Sequence, residues 1–259
     1  MPIPAMKPPT GGEPFARPNP SSVAALGDVG SATACAKLHQ LGLTRTFIDG
    51  PRPLQDPGER RVVGGAVTLQ FMPKREDVFS GAEQEDVEKT TALWAVLEAV
   101  EPGDVLVVQA YGSHFTGCLG DMLVRYFRKR GGAGIVVDGR IRDAARVKAL
   151  GVPVWCTGVT PHYASQSELF PWACNVPVAV GGALVFPGDI VVADDDGAVV
   201  VPPGYATRIA ESAIEHQDRE EFARERIDAG GRLSDYYPLS SANEAEYLAA
   251  RAAQSAGIG

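Results

Sequence analysis

The chain has no apolar run approaching the length of a membrane span, no uninterrupted apolar stretch near its N-terminus, and no C-x-x-C pair among its four cysteines. The first two absences argue against a spanning helix and a secretory leader. Cys35, Cys118, Cys156 and Cys174 are scattered singly, which indicates neither a zinc framework nor a disulfide scaffold. The expectation is a soluble, cytoplasmic protein with reduced thiols. Basic charge is scarce as well: 24 Lys and Arg face 32 Asp and Glu, a formal net charge of -8. A nucleic-acid backbone needs a concentrated cationic surface, so no direct nucleic-acid partner is expected. The one basic run, Arg125, Arg128, Lys129 and Arg130, reads as cations at a helix C-terminus, where the macrodipole favours them.

What is present is an ordinary globular composition. With 259 residues, 45% hydrophobic and 22% charged, the chain suits one large domain with extensions. Seven of its 20 prolines (Pro2, Pro4, Pro8, Pro9, Pro14, Pro18 and Pro20) crowd the start, so residues 1–22 read as a flexible, extended arm, either disordered or laid across a neighbouring subunit. SATACAKLHQLG, from Ser31, has helical spacing, a serine able to cap it and Gly42 as a stop. RVVGGAVTLQFMP reads as a strand, with Gly64 and Gly65 marking a bulge or a close backbone approach. A helix is expected over about 85–100, and then, from 105 to 158, continuous apolar runs (VLVVQA, GIVVD, VPVWCTG) alternate with amphipathic helices. That alternation signals βαβ units and a strand layer buried on both faces, an α/β fold. Further on, VPVAVGGALVF and PGDIVVADDDGAVVVP read as strands, with Asp194-Asp195-Asp196-Gly197 taken as a turn rather than a metal cluster. Residues 204–229 form a long charged helix, and Ser241 and Glu244 have capping-box spacing ahead of a last helix.

Chemistry gathers between Gly117 and Gly151. The loop YGSHFTGCLGDM follows a strand and opens a helix, so its backbone N–H groups can receive an anionic oxygen, with glycines at 112, 117 and 120 letting a ligand approach. In VVDGRIRDAARVKALG, Arg142 and Asp143 follow a strand end. Asp143 reads either as a helix cap or as an oxygen ligand for a hard metal, and Arg142 as a cation for a carboxylate. Twenty residues separate Asp121 from Arg142, enough for a helix and a returning strand to bring the two element ends side by side.

This Asp-x20-Arg-Asp pattern, with GCLGDM, VVDGRIRD and PGDIVVADDDGAVVVP, closely resembles the RraA-like family, over roughly residues 25–235. That family includes class II 4-hydroxy-4-methyl-2-oxoglutarate / 4-carboxy-4-hydroxy-2-oxoadipate aldolases and regulators of ribonuclease activity. The resemblance implies a three-layer β/β/α swivelling-type domain over 23–235, with N- and C-terminal helical extensions and a helical tail at 236–259. It implies a trimer or a pair of trimers. It also implies a metal-dependent lyase that cleaves a 4-hydroxy-2-oxo acid to pyruvate, decarboxylates oxaloacetate, or does both. Asp143 then matches the carboxylate that holds Mg or Mn, and Asp121 the one that meets the metal through water. Arg142 matches the arginine that grips the oxo acid and its enolate. Backbone amides around Leu119, Gly120, Asp121, Met122 and Leu123 match the loop that receives the substrate carboxylate. A glutamate from a neighbouring subunit's C-terminal helix, matched loosely by Glu220 or Glu221, completes the site. The alternative carried by the same resemblance is a protein that binds and inhibits an RNA-degrading endonuclease without turnover of its own.

Overall fold

The structure is a computed structural model and describes residues 11–55, 61–76, 89–164 and 168–256. Two units are distinguished along the chain, residues 1–209 and residues 210–259.

The first unit is built on strand β3 (Val62–Pro73), which begins in one sheet environment and ends in another. Its start pairs antiparallel with β10 (Ile190–Asp194), and its middle pairs parallel with β4 (Val105–Gly117). From β4 the parallel order runs to β5 (Gly134–Ile141) and β6 (Val154–Val159), with β2 (Arg52–Pro53) on the edge. On the other side, β10 pairs with β11 (Gly197–Val201) and β11 with β1 (Phe47–Ile48), while β7 (Leu169–Cys174) lies against the end of β3. A separate hairpin joins β8 (Val178–Val180) to β9 (Ala183–Val185).

The sheet is apolar on both faces because its strands alternate between two cores. In β5, Ile135 and Val137 enter the core shared with helices α3 (Ala92–Ala99), α4 (Asp121–Lys129) and α5 (Ala144–Ala149). Val136 enters the core shared with β1, the β8–β9 hairpin, β10 and β11. The result is the expected α/β domain in three layers: helices, the central sheet, and a second β layer. The helix expected over 85–100 is shorter where it is described: it runs Ala92–Ala99 between the caps Thr91 and Val100, residues 89–90 form a turn, and residues 85–88, Val87 among them, lie outside the described residues.

Gly64 and Gly65 mark a close approach. A Cβ on Gly64 would lie 2.1 Å from the Gly103 carbonyl oxygen, and one on Gly65 2.8 Å from Pro18 Cδ. The second contact belongs to the proline-rich arm, whose residues 11–19 run extended over the chain's own body. There Gly12 N–H donates to the Cys174 carbonyl, and Arg17 pairs with the nearly buried carboxylate of Asp104 at 2.9 Å. Asp104 and Glu101 hold the Arg17 guanidinium above its usual pKa, the hydrogen bond to Asp104 being the largest cause. Short helices α1 (Pro20–Ala25) and α2 (Ser31–Gln40) follow. Ser31 is not the cap of α2: Gly30 occupies that position, and Asp194 caps the helix from 163 residues away, accepting from Ser31 N–H at 2.8 Å and from its hydroxyl.

The DDDG segment is the turn between β10 and β11, with Asp194 opposite Gly197. Positive φ occurs there at Gly197 and not at the aspartates. Asp196 N–H instead donates to the Asp194 carboxylate, so the side chain closes the turn.

The second unit takes up most of α6 (Ala206–Asp228), with α7 (Leu233–Tyr236) and α8 (Ser241–Ala256). Phe222 packs edge-on to Tyr236 and Tyr247, and Arg219–Glu244 and Arg226–Glu246 pairs at 2.6 Å tie α6 to α8. Glu244 is therefore engaged with Arg219, and it is Ser240, not Ser241, that precedes α8 and accepts from Asn243 N–H and Glu244 N–H.

Candidate active site

The sequence YGSHFTG, expected as a loop, is an irregular continuation of β4. Ser113 pairs with Gly139 and Gly117 with Arg140, with register shifts between the regular and irregular parts. Cys118 N–H then donates to the Arg140 carbonyl, and Arg142 N–H to the Leu119 carbonyl. These backbone bonds bring the GCLGD segment beside the end of β5, which is how Asp121, Arg142 and Asp143 come together.

Helix α4 opens at Gly120, which has extended φ/ψ and no side chain to cap the first turn. The uncapped amides of a helix start, with the positive end of the dipole, suit a carboxylate ligand. Behind them α4 is anchored by buried Val124 and Phe127, the Phe127 ring lying where a Gly132 side chain would be. The basic run closes the same helix as expected, with Arg128 and Lys129 in its last turn.

Asp143 occupies the N-cap position of α5, yet its backbone is left-handed (φ 57°, ψ 35°) and its side chain makes no capping hydrogen bond. A non-glycine residue at positive φ is strained, and such strain gathers at functional sites. Its carboxylate turns instead to the Arg142 guanidinium, Nε to Oδ2 3.3 Å, with about a third of the side chain exposed. A Cβ on Gly120 would lie 2.7 Å from Asp143 Oδ2 and 2.8 Å from Arg142 Nε, so only glycine leaves both groups where they stand. Asp121 is more enclosed, its side chain 14% exposed, and sits 3.8 Å from the largely exposed Arg146. Gly117 is equally constrained, since a Cβ there would lie 2.2 Å from the His162 carbonyl oxygen.

Arg142, Gly117 and Gly120 line a cleft of about 460 Å³, together with Cys118, Met122 and Leu123. The same cleft takes Leu93 and Trp94 from the first turn of α3 and Tyr163 and Ala164 from the segment after β6. Tyr163 lies under the Arg142 guanidinium at 5.7 Å, a cation–π contact that steadies the cation. Leu93, Trp94 and Tyr163 are the lining residues that motif reasoning missed. The exposed neighbour His162 instead meets Phe115 edge-on, 6.0 Å between ring centroids. Cys118 is a small buried side chain, and burial pushes its thiol well above the ordinary range, away from nucleophilic use.

Asp138, the last residue of the GIVVD run, is not part of the cleft. It accepts from Gly112 N–H at 2.6 Å and from Gly181 N–H at 3.3 Å, and burial pushes its carboxyl pKa up. Its role is to tie β4 to the β8–β9 turn. Glu220 and Glu221 belong to the helical second unit. There Glu220 meets His216 at 3.2 Å and Arg224 at 3.0 Å, and the exposed Glu221 meets Arg224 at 2.7 Å. Among the described residues no cluster of three or more His, Cys, Asp or Glu gathers, and no helix is long and apolar enough to cross a membrane.

Fold and cleft together define an α/β domain in which an uncapped helix start and Arg142 line one cleft, with Asp143 against Arg142. Residues 26–200 match the family described as RraA-like, Aldolase/RraA, and the chain belongs to that family. A Halalkalibacterium halodurans protein with the provisional name 4-hydroxy-4-methyl-2-oxoglutarate aldolase is 37% identical over 175 residues, 68% of this chain and 74% of its own. Protein DlpA of Legionella pneumophila is 25% identical over a similar stretch, which is 26% of its own length. Among solved structures, Streptomyces coelicolor RraAS2, described as an unusual member of the RNase ES inhibitor RraA protein family, is 64% identical. The match covers 82% of this chain and 99% of that one, with a TM-score of 0.75. An uncharacterised Pseudomonas syringae protein is 25% identical with a TM-score of 0.71, covering 86% of this chain and all of the other.

Proposed function

We propose that this chain is a divalent-metal-dependent lyase that breaks a short 2-oxo acid into pyruvate, by aldol cleavage of a 4-hydroxy-2-oxo acid, by decarboxylation of oxaloacetate, or by both. The observation that carries this reading is Asp143: a strained, non-capping carboxylate held against the cleft residue Arg142, with glycine at 120 leaving both side chains where they stand. The donor set suits Mg or Mn. Such hard cations take one or two carboxylates and fill their remaining positions with water and substrate oxygens, so Asp143, with Asp121 nearby through water, is sufficient without a larger cluster. When bound, the metal supplies a Lewis acid that polarises the 2-oxo group.

The protein's own groups do the rest. The amides at the start of α4, from Leu119 to Leu123, receive the C1 carboxylate. As the C3–C4 bond breaks, its electron pair moves to C3, the 4-hydroxyl becomes a carbonyl, and negative charge develops on the 2-oxygen. The Arg142 guanidinium donates to that oxygen, stabilising charge that exists only as the reaction proceeds. Asp121 accepts the 4-hydroxyl proton through a bridging water, and a proton delivered to C3 releases pyruvate. Oxaloacetate loses carbon dioxide to reach the same enolate. The family's trimeric assembly is part of the proposal, with Glu220 or Glu221 donated across a subunit interface.

The test is a panel of 4-hydroxy-2-oxo acids and oxaloacetate, with and without Mg or Mn, scored by pyruvate formation. Metal-dependent pyruvate release is expected, and Arg142→Ala should lower kcat/KM roughly 100-fold or more. An Arg142→Ala protein as active as the parent ends the assignment.

The 64% identity to RraAS2 supports a second reading, a regulator that binds an RNA-degrading endonuclease. Recovery of an RNase E-type enzyme in a pull-down, with inhibition of its RNA cleavage and no turnover on any oxo acid, would reverse the ranking.

A further inference from the structure

The cleft that holds Arg142 has an uneven chemistry. Among its described lining residues Arg142 is the one permanent cation, while Leu93, Trp94, Met122, Leu123 and Tyr163 supply apolar and aromatic surface. Arg146 faces Asp121 and is not part of the lining. A single cation satisfies a single anionic oxygen centre. On the lyase reading the C1 carboxylate and the developing enolate take Arg142 and the α4 amides, so a second carboxylate on the distal part of the substrate would meet aliphatic and aromatic side chains with no second cation among the described lining residues. An apolar distal group would gain from the same surface. The volume, about 460 Å³, is in the range of sites that enclose ligands well beyond the size of pyruvate.

We infer that the lyase substrate is a monocarboxylate: a 4-hydroxy-2-oxo acid whose C4 carries an uncharged aliphatic or aryl group, with Trp94, Leu93 and Tyr163 as the residues that select it. This rests on the lyase reading, and it separates the chain from an enzyme built for a C4 carboxylate. Trp94 and Leu93 come from the start of α3, Tyr163 from the segment after β6, so selection is supplied by elements other than the one that carries Arg142 and Asp143. Met122 stands at the cleft with 68% of its surface exposed, a position from which one substitution can add the missing charge.

The experiment has a binding arm and a turnover arm, both on the full chain. Calorimetric titration with the non-cleavable pair 2-oxo-4-phenylbutanoate and 2-oxoglutarate should give at least tenfold tighter binding of the phenyl compound. With Mg or Mn supplied, kcat/KM for 4-hydroxy-2-oxo-4-phenylbutanoate should exceed that for 4-hydroxy-4-methyl-2-oxoglutarate by at least tenfold. Trp94→Ala should shrink both ratios severalfold, and Met122→Arg, which alters an exposed side chain and leaves the fold intact, should shift both toward the dicarboxylate. Solvent-deuterium exchange into the pyruvate methyl group, which needs no distal group, keeps the two ideas apart. Exchange together with a preference for the dicarboxylates overturns this inference and leaves the lyase standing; absence of exchange and of cleavage overturns both.

Discussion

Two groups of aspartates in this protein look alike on paper and differ in every physical respect. Asp194 is saturated: its oxygens accept from Ser31 N–H, the Ser31 hydroxyl and Asp196 N–H, with Arg61 at 3.8 Å. Asp143 sits where a capping residue belongs and caps nothing, on a backbone that costs energy to hold. A carboxylate whose hydrogen bonds are already made stabilises the fold, whereas one held at positive φ against a single arginine has oxygens left over for another partner. The number of acidic residues in a run says nothing of this.

That contrast can be broken at four points. The largest effect is expected from Asp143→Asn, which keeps a side chain tolerant of left-handed backbone: metal-dependent pyruvate release should fall to background while the urea midpoint holds within about 0.5 kcal/mol of stability. An active Asn variant would remove Asp143 from the chemistry. Next comes Gly120→Ala, whose Cβ must displace Asp143 Oδ2 or Arg142 Nε; a loss of roughly tenfold or more in kcat/KM is expected, read in steady-state kinetics beside an unchanged far-ultraviolet spectrum. Asp194→Ala should do the opposite, costing about 1–2 kcal/mol of unfolding free energy through the lost cap of α2 with turnover retained. Turnover lost at an unchanged midpoint would exchange the roles of the two aspartates. The smallest effect belongs to Arg146→Ala: its long, exposed pair with Asp121 should be worth less than about 1 kcal/mol in chemical denaturation.

The sheet was legible because its strands carry both faces' cores in continuous apolar runs, and GIVVD can hardly be read otherwise. The approach of the segment before Asp121 to Arg142 was legible because helix and strand lengths bring those element ends together. Other features were not, and each for a tertiary reason. YGSHFTG looks like a loop since its glycine and polar residues break the strand pattern, yet pairing with Gly139 and Arg140 extends β4 through it. The cap of α2 arrives from Asp194, far along the chain, so Ser31 appeared to be the obvious cap. Trp94 and Tyr163 carried no motif at all. Trp94 belonged to a broad apolar helix face, and its half-buried state, with one side in the core and the other in the cleft, follows only from where α3 lies. The proline-rich arm read from composition as disordered or laid across a neighbouring subunit, and one contact of its described residues, Arg17 to Asp104, joins positions 87 residues apart.

The backbone at Asp143 also limits where this chain can drift. A left-handed position accepts Gly freely, costs Asp and Asn less than most residues, and resists most other side chains. An exchange of Asp143 for Asn leaves the helix start, the sheet and every outer surface intact and removes one charge from the cleft. On the lyase reading proposed above, one nucleotide-scale step would turn a catalyst into a folded, catalytically silent protein, and a single position would decide between the two.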